Sequence, residues 1–124
     1  MSEGSGKKMI IVSCPGGSNV SLMSYKAAGI LEKEGYGKFV RLAGEKFKEK
    51  DQQRLTQAAQ DAEQWLLIDG CTKGCGKSAL EDAGIKADHY VVVTEDIGIE
   101  REMKIEFSDE EVDKVLNEAK KVIG

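Results

Sequence analysis

The 124-residue sequence has few of the residues that cross-link or stiffen small proteins, with three cysteines, one proline and one histidine. Because an odd number of cysteines cannot all pair within one chain, a disulfide framework is disfavoured, which leaves metal binding, thiol chemistry or simple burial. No apolar run approaches the length of a membrane-spanning helix, so no membrane association is expected. The formal net charge of −4 also disfavours nucleic acid as a general partner.

The composition is typical of a globular protein, with 40% hydrophobic and 32% charged residues. The length predicts one domain with a core large enough to be stable without cross-links. We expect a flexible polar tail at residues 1–8 and a single α/β domain at residues 9–124. The apolar segment at residues 9–12 is too short for the core of a signal peptide, so the predicted compartment is the cytoplasm, where thiols stay reduced.

Four short apolar runs alternate with helical patterns along the chain. The runs predict strands at residues 9–13, 38–42, 65–68 and 89–93. Gly84 is suited to end the third helix, and Ser108 with Glu111 forms a capping box that opens the last one. Residues 103–107 are a candidate for one more short strand. The alternation predicts a Rossmann-like three-layer α/β sandwich, in which helices cover both faces of a mostly parallel sheet of about four strands.

Residues suited to metal binding or nucleophilic chemistry follow the predicted strands. In a parallel sheet the loops after the strands lie along one edge, and ligands bind there in such folds. The residues that the prediction places at this edge are Cys14, Arg41, Asp69, Cys71, Cys75, Glu95 and Asp96. His89 begins a strand instead, so we expect it at the opposite edge with a structural role.

The three cysteines form the main candidate site. Cys71 and Cys75 lie four residues apart at a predicted helix N-terminus, which favours the thiolate form that zinc binds. Cys14 follows the first predicted strand, so the three thiolates can meet as metal ligands, unless one or more is only a small buried side chain. Three thiols are one short of a closed structural zinc site. The candidates for a fourth ligand or a supporting role are Asp69, Glu95, Asp96 and a water molecule.

Two glycine-containing turns suggest anion binding. Residues 14–19 and 76–78 each lead into a predicted helix, whose N–H groups can bind a simple anion. The candidate anion-binding residues are Gly16, Gly17, Ser18, Arg41 and Lys77. Nucleotide hydrolysis is disfavoured because Cys71 stands where a phosphate-binding loop needs glycine. A phosphatase is disfavoured because the loop after Cys14 does not end in an arginine.

These residues leave three functions open. The first is a zinc-binding protein that uses the cysteine cluster, with a carboxylate or water completing the metal shell. The second is metal-free redox chemistry or sulfur transfer, with Cys71 or Cys14 as the nucleophile and Cys75 as the resolving thiol. The third is a non-catalytic module that binds a small anion or a partner. Whether the chain is an enzyme stays open, as does its oligomeric state.

The segment Asp69-Gly70-Cys71, together with Cys75 and Gly76-Lys77, resembles the DGC domain family, small proteins named for that tripeptide. The resemblance covers most of the chain and includes residues 12–14, 42–44 and 94–100. It implies zinc as the cofactor, in a site for which four cysteines have been proposed. Cys14, Cys71 and Cys75 match three of them. Arg41 stands where the fourth would fall, so the implied site has three thiolates.

Overall fold

The computed structural model describes residues 8–124, so the predicted tail at residues 1–8 lies almost entirely outside the described part of the chain. The strands β1 (Met9–Ser13), β2 (Lys38–Val40), β3 (Gln64–Asp69) and β4 (His89–Val92) form a parallel sheet in the order β2-β1-β3-β4. At the centre of the sheet, Ile11 of β1 pairs with both Phe39 and Leu66. The predicted parallel sheet of four strands is therefore confirmed.

Helices cover the two faces of this sheet. They are α1 (Asn19–Lys33), α2 (Lys48–Ala59), α3 (Cys75–Asp82) and α4 (Asp109–Ile123), with a short 3-10 helix at Glu45–Phe47 and a π-helical turn at Val93–Ile97. Because side chains alternate along a strand, Ile11 and Leu66 pack with α1 and α4, whereas Val12 and Leu67 pack with α2 and α3. The predicted three-layer architecture is confirmed. Within residues 8–124, none of the helices has the length and apolar character needed to cross a membrane.

Three helix ends follow signals that lie close together in the sequence. The Ser18 hydroxyl oxygen accepts a hydrogen bond from the Ser21 N–H at the start of α1. Ser108 and Glu111 make both hydrogen bonds of the capping box at the start of α4. Gly84 follows α3 with a φ of +73°, the left-handed conformation that glycine adopts without strain. The predicted end of α3 and the predicted start of α4 are therefore confirmed.

Residues 103–107 are not a strand, and that expectation was wrong. They lie in an irregular segment before α4, where Met103 and Ile105 are each 76% exposed and Phe107 packs partly against the core. Alternating apolar residues become a strand only where a neighbouring strand supplies hydrogen bonds. Here the preceding residue, Glu102, bonds to Asn19 of α1 instead. The second and fourth strands are also shorter than predicted, ending at residues 40 and 92.

Both outer strands have an outward N–H group that is bonded to an acidic side chain. The Phe39 N–H of β2 donates to the Glu32 carboxylate at 2.8 Å, and the Val92 N–H of β4 donates to the Asp96 carboxylate at 2.7 Å. Exposed edge strands offer such donors to other chains. At these two positions the protein's own side chains already occupy the donors.

Candidate functional site

The topology brings the two cysteine-bearing loops together at the carboxyl edge of the sheet. Cys14 follows β1, and Gly70 and Cys71 follow the adjacent strand β3. The Cys14 N–H extends the ladder by donating to the Ile68 carbonyl at 3.1 Å. In return, the Gly70 N–H donates to the Cys14 Sγ atom at 3.2 Å. The Cys14 sulfur therefore lies against the backbone that leads directly into Cys71.

Cys14 is held in a buried environment. Its side chain is 6% exposed, and its thiol donates to the Ser21 hydroxyl at 3.2 Å while accepting the bond from Gly70. Burial raises the pKa of the Cys14 thiol above its ordinary value, and the nearby Asp69 carboxylate acts in the same direction. The hydrogen bond between Cys14 and Ser21 and the one donated by the Gly70 N–H oppose this rise. Without a bound cation, Cys14 is therefore a neutral thiol at neutral pH.

Asp69 is fully buried and anchors the N-terminus of α3. Its carboxylate accepts hydrogen bonds from the N–H groups of Gly76 at 2.9 Å and Lys77 at 3.2 Å. These are unsatisfied donors in the first turn of α3, whose N-cap residue, Gly74, has no side chain to bind them. The Tyr90 hydroxyl also donates to Asp69, at 2.8 Å. Asp69 is thus engaged as a helix cap rather than free to face a ligand.

Burial and hydrogen bonding shift the pKa values of both Asp69 and Tyr90. Burial raises the pKa of the Asp69 carboxyl, while its bonds from Tyr90, Gly76 and Lys77 act against that rise. Burial and the Asp69 carboxylate together raise the pKa of Tyr90 well above the ordinary value for tyrosine. Tyr90 therefore stays protonated and remains the donor to Asp69.

Two glycines are required for these contacts because there is no room for a Cβ atom. At Gly70 a Cβ would lie 2.9 Å from the backbone nitrogen of Ser21 and from the Cγ2 atom of Val20. At Gly76 a Cβ would lie 2.7 Å from the Asp69 carboxylate and from the Leu67 side chain. The tight approach of β3 to the first turns of α1 and α3 therefore depends on glycine at both positions.

The other two cysteines are more accessible. Cys71 is half-buried in a turn that the Gly74 N–H closes by donating to the Cys71 carbonyl at 3.2 Å. Cys75 is exposed and is the first residue of α3. All three thiols are free.

The donor set suits zinc in its chemistry, but it is not preassembled. Cys14 and Cys71 lie in loops at one sheet edge and Cys75 begins the helix that follows, and thiolates are preferred zinc ligands. Among residues 8–124, however, no group of three His, Cys, Asp or Glu side chains is arranged so that it could hold a metal ion. The structure as described therefore does not present Cys14, Cys71 and Cys75 as a ready ligand cage.

The remaining acidic candidates, Glu95 and Asp96, both lie in the turn after β4. Glu95 is exposed in the π-helical turn after β4. Asp96 lies in the same turn, and its carboxylate accepts the Val92 N–H described above. Both residues follow the fourth strand as the sequence predicts, but Asp96 stabilises an edge strand there.

The candidate anion-binding residues lie in separate parts of the structure and do not share one set of contacts. The N-terminus of α1 is partly satisfied, because Ser18 binds the Ser21 N–H and the Asn19 N–H donates to the Glu102 carbonyl at 3.0 Å. Gly16 and Gly17 are exposed in the turn before this helix. The Arg41 guanidinium lies over the Tyr25 ring, 4.7 Å from its centre, and Lys77 lies over the Tyr90 ring at 5.8 Å.

His89 begins β4, at the end of the strand opposite the cysteine loops. Its Nε2 atom is buried without a hydrogen-bond partner in the described residues. Two residues that touch the site were not expected from the sequence. Ser21 could have been suspected as a polar residue one helical turn inside α1, whereas no local signal marks Tyr90, whose role depends on the pairing of β3 with β4.

The fold and the edge residues define a small parallel α/β domain with thiols in the loops after β1 and β3. A family model described as DGC domain matches residues 10–119. The chain therefore belongs to the DGC domain family, as its resemblance predicted. Searches of curated proteins and of solved structures returned no significant match.

Proposed function

We propose that this protein binds zinc through the thiolates of Cys14, Cys71 and Cys75. The observation that supports this most directly is the 3.2 Å hydrogen bond from the Gly70 N–H to the Cys14 sulfur. It brings the Cys14 sulfur against the backbone that leads into Cys71 and then into α3, which begins at Cys75, and an N–H donor favours the thiolate form of sulfur. A divalent cation would supply the positive charge that this buried sulfur needs in order to ionise.

Binding requires the Cys71–Gly74 turn to move, since three ligands are not gathered in the described residues. Thr72 and Lys73 of this turn are exposed, so its movement would not remove their side chains from the core. Three protein ligands leave one position of a tetrahedral zinc ion for water or another molecule. Zinc bound in this way would lower the pKa of that water or polarise a bound carbonyl.

Metal analysis of the full chain tests the proposal. Protein purified without added metal, or reloaded after chelation, should contain one zinc ion per chain. Cys14→Ser, Cys71→Ser and Cys75→Ser should each release zinc to a chromophoric chelator faster than the wild type, whereas Thr72→Ala, in the same turn, should not. Cys75 is exposed, so Cys75→Ser should fold normally and its result is free of folding effects. A zinc content near zero that reloading cannot raise would refute zinc binding.

Thiol–disulfide exchange is a second candidate, favoured by the exposure of Cys75 at a helix N-terminus with Cys71 four residues before it. This exposure makes Cys75 the attacking thiol, in place of the Cys71 or Cys14 expected from the sequence. The Cys75 thiolate would attack a disulfide of the substrate, breaking its S–S bond and releasing one thiolate. The Cys71 thiolate would then attack the mixed disulfide and release the second thiolate. The chain would end with a Cys71–Cys75 disulfide, and the substrate would gain two electrons.

Mass spectrometry separates the two candidates. Metal-free protein treated with oxidised glutathione should lose two hydrogens within the peptide that contains both cysteines, and Cys71→Ser should trap glutathione on Cys75. Zinc binding alone predicts that loaded protein resists this oxidation and that metal-free protein forms unselective mixed disulfides. A metal-free chain whose Cys75 does not react at all would exclude the exchange mechanism.

A further inference from the structure

We propose that a pocket between α3 and β4 binds a small carboxylic acid with an apolar body. The pocket has a volume of about 480 Å³. It lies on the α2/α3 side of the sheet, next to the outer strand β4. Its lining includes Leu67, Lys77, Leu80, Ile85, Lys86 and Ala87. Its volume is in the range of pockets that hold small molecules.

The geometry of α3 explains why this space is open. One face of the helix packs on α2, where the Gln52 side chain donates to the Ala79 carbonyl and Lys48 pairs with Asp82. A second face, with Gly76 and Leu80, lies on the sheet. At 100° per residue, Lys77 and Glu81 share the remaining face, which borders the pocket. Because β4 is the last strand of the sheet, the wall across from this face ends at Tyr90.

The lining suits both parts of the proposed ligand, its apolar body and its carboxylate. Leu67, Leu80 and Ile85 provide an apolar floor, and the Tyr90 ring adds an aromatic surface. The charged lining residues are two lysines, Lys77 and Lys86, and one acid, Glu81. Apolar walls with a few charged groups at the rim are typical of small-molecule sites. An excess of ammonium groups over carboxylates favours an anion, so the geometry fits a small acid better than an amine or a sugar.

A larger groove, about 1070 Å³, runs along β2 and α2 at the opposite edge of the sheet. It is a poorer candidate for a small molecule. It spans a long surface from Lys8 to Asp61, and its volume exceeds the usual range for such ligands. In addition, the nearby Phe39 N–H of the edge strand is already bonded to Glu32.

The pocket also touches the anchor of the cysteine loop. Tyr90 donates to the Asp69 carboxylate, and Asp69 holds the first turn of α3, which begins at Cys75. A ligand against Lys77 and Tyr90 therefore contacts groups that position this turn. The binding proposal does not depend on zinc, because none of the three cysteines lines the pocket.

Titration of the ¹⁵N-labelled full chain with 3-phenylpropanoate, followed by amide chemical shifts, tests the site. The acid should bind saturably and shift the amides of Ala87 and Tyr90, whereas the neutral 3-phenylpropanamide and acetate should bind much more weakly. Replacing both lysines, Lys77→Gln with Lys86→Gln, should weaken binding about tenfold. Lys73→Gln removes one lysine charge from the neighbouring turn, outside the lining, and should bind as the wild type does.

The variant Ala87→Phe should fill the pocket and abolish saturable binding; its fold is checked by circular dichroism. If it unfolds, the two lysine variants, which change exposed side chains, still decide the question. The proposal is wrong if the acid produces no saturable shift at millimolar concentration. It is also wrong if the amide binds equally well, or if Lys73→Gln weakens binding as much as the double variant does.

Discussion

The Gly70 N–H donates a hydrogen bond to the Cys14 sulfur at 3.2 Å, joining residues that are 56 positions apart in the sequence. This bond links the ends of two neighbouring parallel strands at the point where their chains diverge into separate helices. It also means that the tripeptide Asp69-Gly70-Cys71 has three different tasks. Asp69 caps a helix, Gly70 contacts a buried sulfur, and only Cys71 offers a reactive group to the surface.

Replacing Cys14 should destabilise the fold even without metal. Cys14→Ala leaves the buried Gly70 N–H without its acceptor and opens a small cavity, so we expect a loss of about 1–3 kcal/mol in the free energy of unfolding. Cys75→Ala changes an exposed side chain and should stay within about 0.5 kcal/mol of the wild type. Urea unfolding of both variants in the presence of a chelator measures the difference. Equal stability of the two variants would contradict the structural role of Cys14.

Substituting Gly70 should be far more damaging than substituting a nearby glycine. Gly70→Ala would force a Cβ atom to within 3.0 Å of backbone atoms of α1, and overpacking of this kind costs about 1–3 kcal/mol. At the exposed Gly17 an added Cβ meets nothing within 4 Å, so Gly17→Ala should be neutral or slightly stabilising. Thermal unfolding of the pair provides the test. A destabilised Gly17→Ala with an unaffected Gly70→Ala would reverse the expected order.

The buried Asp69 carboxyl should give the protein a distinct dependence on pH. Because its pKa is raised in the folded state above the ordinary value of 3.8, the fold favours the protonated form. The stability that this group contributes is therefore full below that value and declines as pH rises through the raised folded pKa. In Asp69→Asn this titration is absent, so the wild type should lose stability relative to the variant as the pH rises above 3.8 and through the raised pKa of Asp69.

Urea unfolding across this pH range, with Glu95→Gln as a matched exposed carboxylate, isolates the effect of Asp69. The curves for wild type and Glu95→Gln should run in parallel. A stability difference between wild type and Asp69→Asn that stays constant with pH would show that burial does not control this carboxyl.

Asn19 should control the mobility of the irregular segment before α4. Its side chain donates to the Glu100 carbonyl at 3.0 Å and accepts the Glu102 N–H at 2.6 Å. In Asn19→Ala the Glu102 amide loses its acceptor, and we expect its hydrogen exchange to become about five to ten times faster. Asn117→Ala, on the exposed side of α4, serves as the control and should leave the Glu102 amide unchanged.

The elements of the fold could be predicted because their signals are local. Short apolar runs of strand length, helical spacing and caps such as Ser108 with Glu111 all act over a few residues. The segment at residues 103–107 shows the limit of this reasoning. Its alternation of Met103, Ile105 and Phe107 is that of a strand, but strand formation depends on a partner elsewhere in the chain.

The candidate site was predictable in position but not in detail. Parallel topology is enough to place Cys14 and Cys71 at one edge. The hydrogen-bond partners of the side chains at this edge depend on tertiary packing, which no sequence pattern reports. Asp69, a candidate ligand, is held by Gly76, Lys77 and Tyr90.

Arg41 shows a similar effect. It stands where the resemblance places a fourth cysteine, and its guanidinium lies over the ring of Tyr25, which itself packs edge-on against Phe39. At this position the side chain therefore joins an aromatic stack on the α1 side of the sheet.

The carboxylates of Glu32 and Asp96 at the two outer strands oppose association of these molecules through the edges of their sheets. A second molecule that tried to extend the sheet from β2 or β4 would first have to displace a bonded carboxylate from Phe39 or Val92. Each displacement leaves a negative group that must be resolvated or paired before the new strand can settle. Growth of a fibre by extension of the sheet would thus begin with an unfavourable step, the displacement of the molecule's own carboxylate from the edge strand.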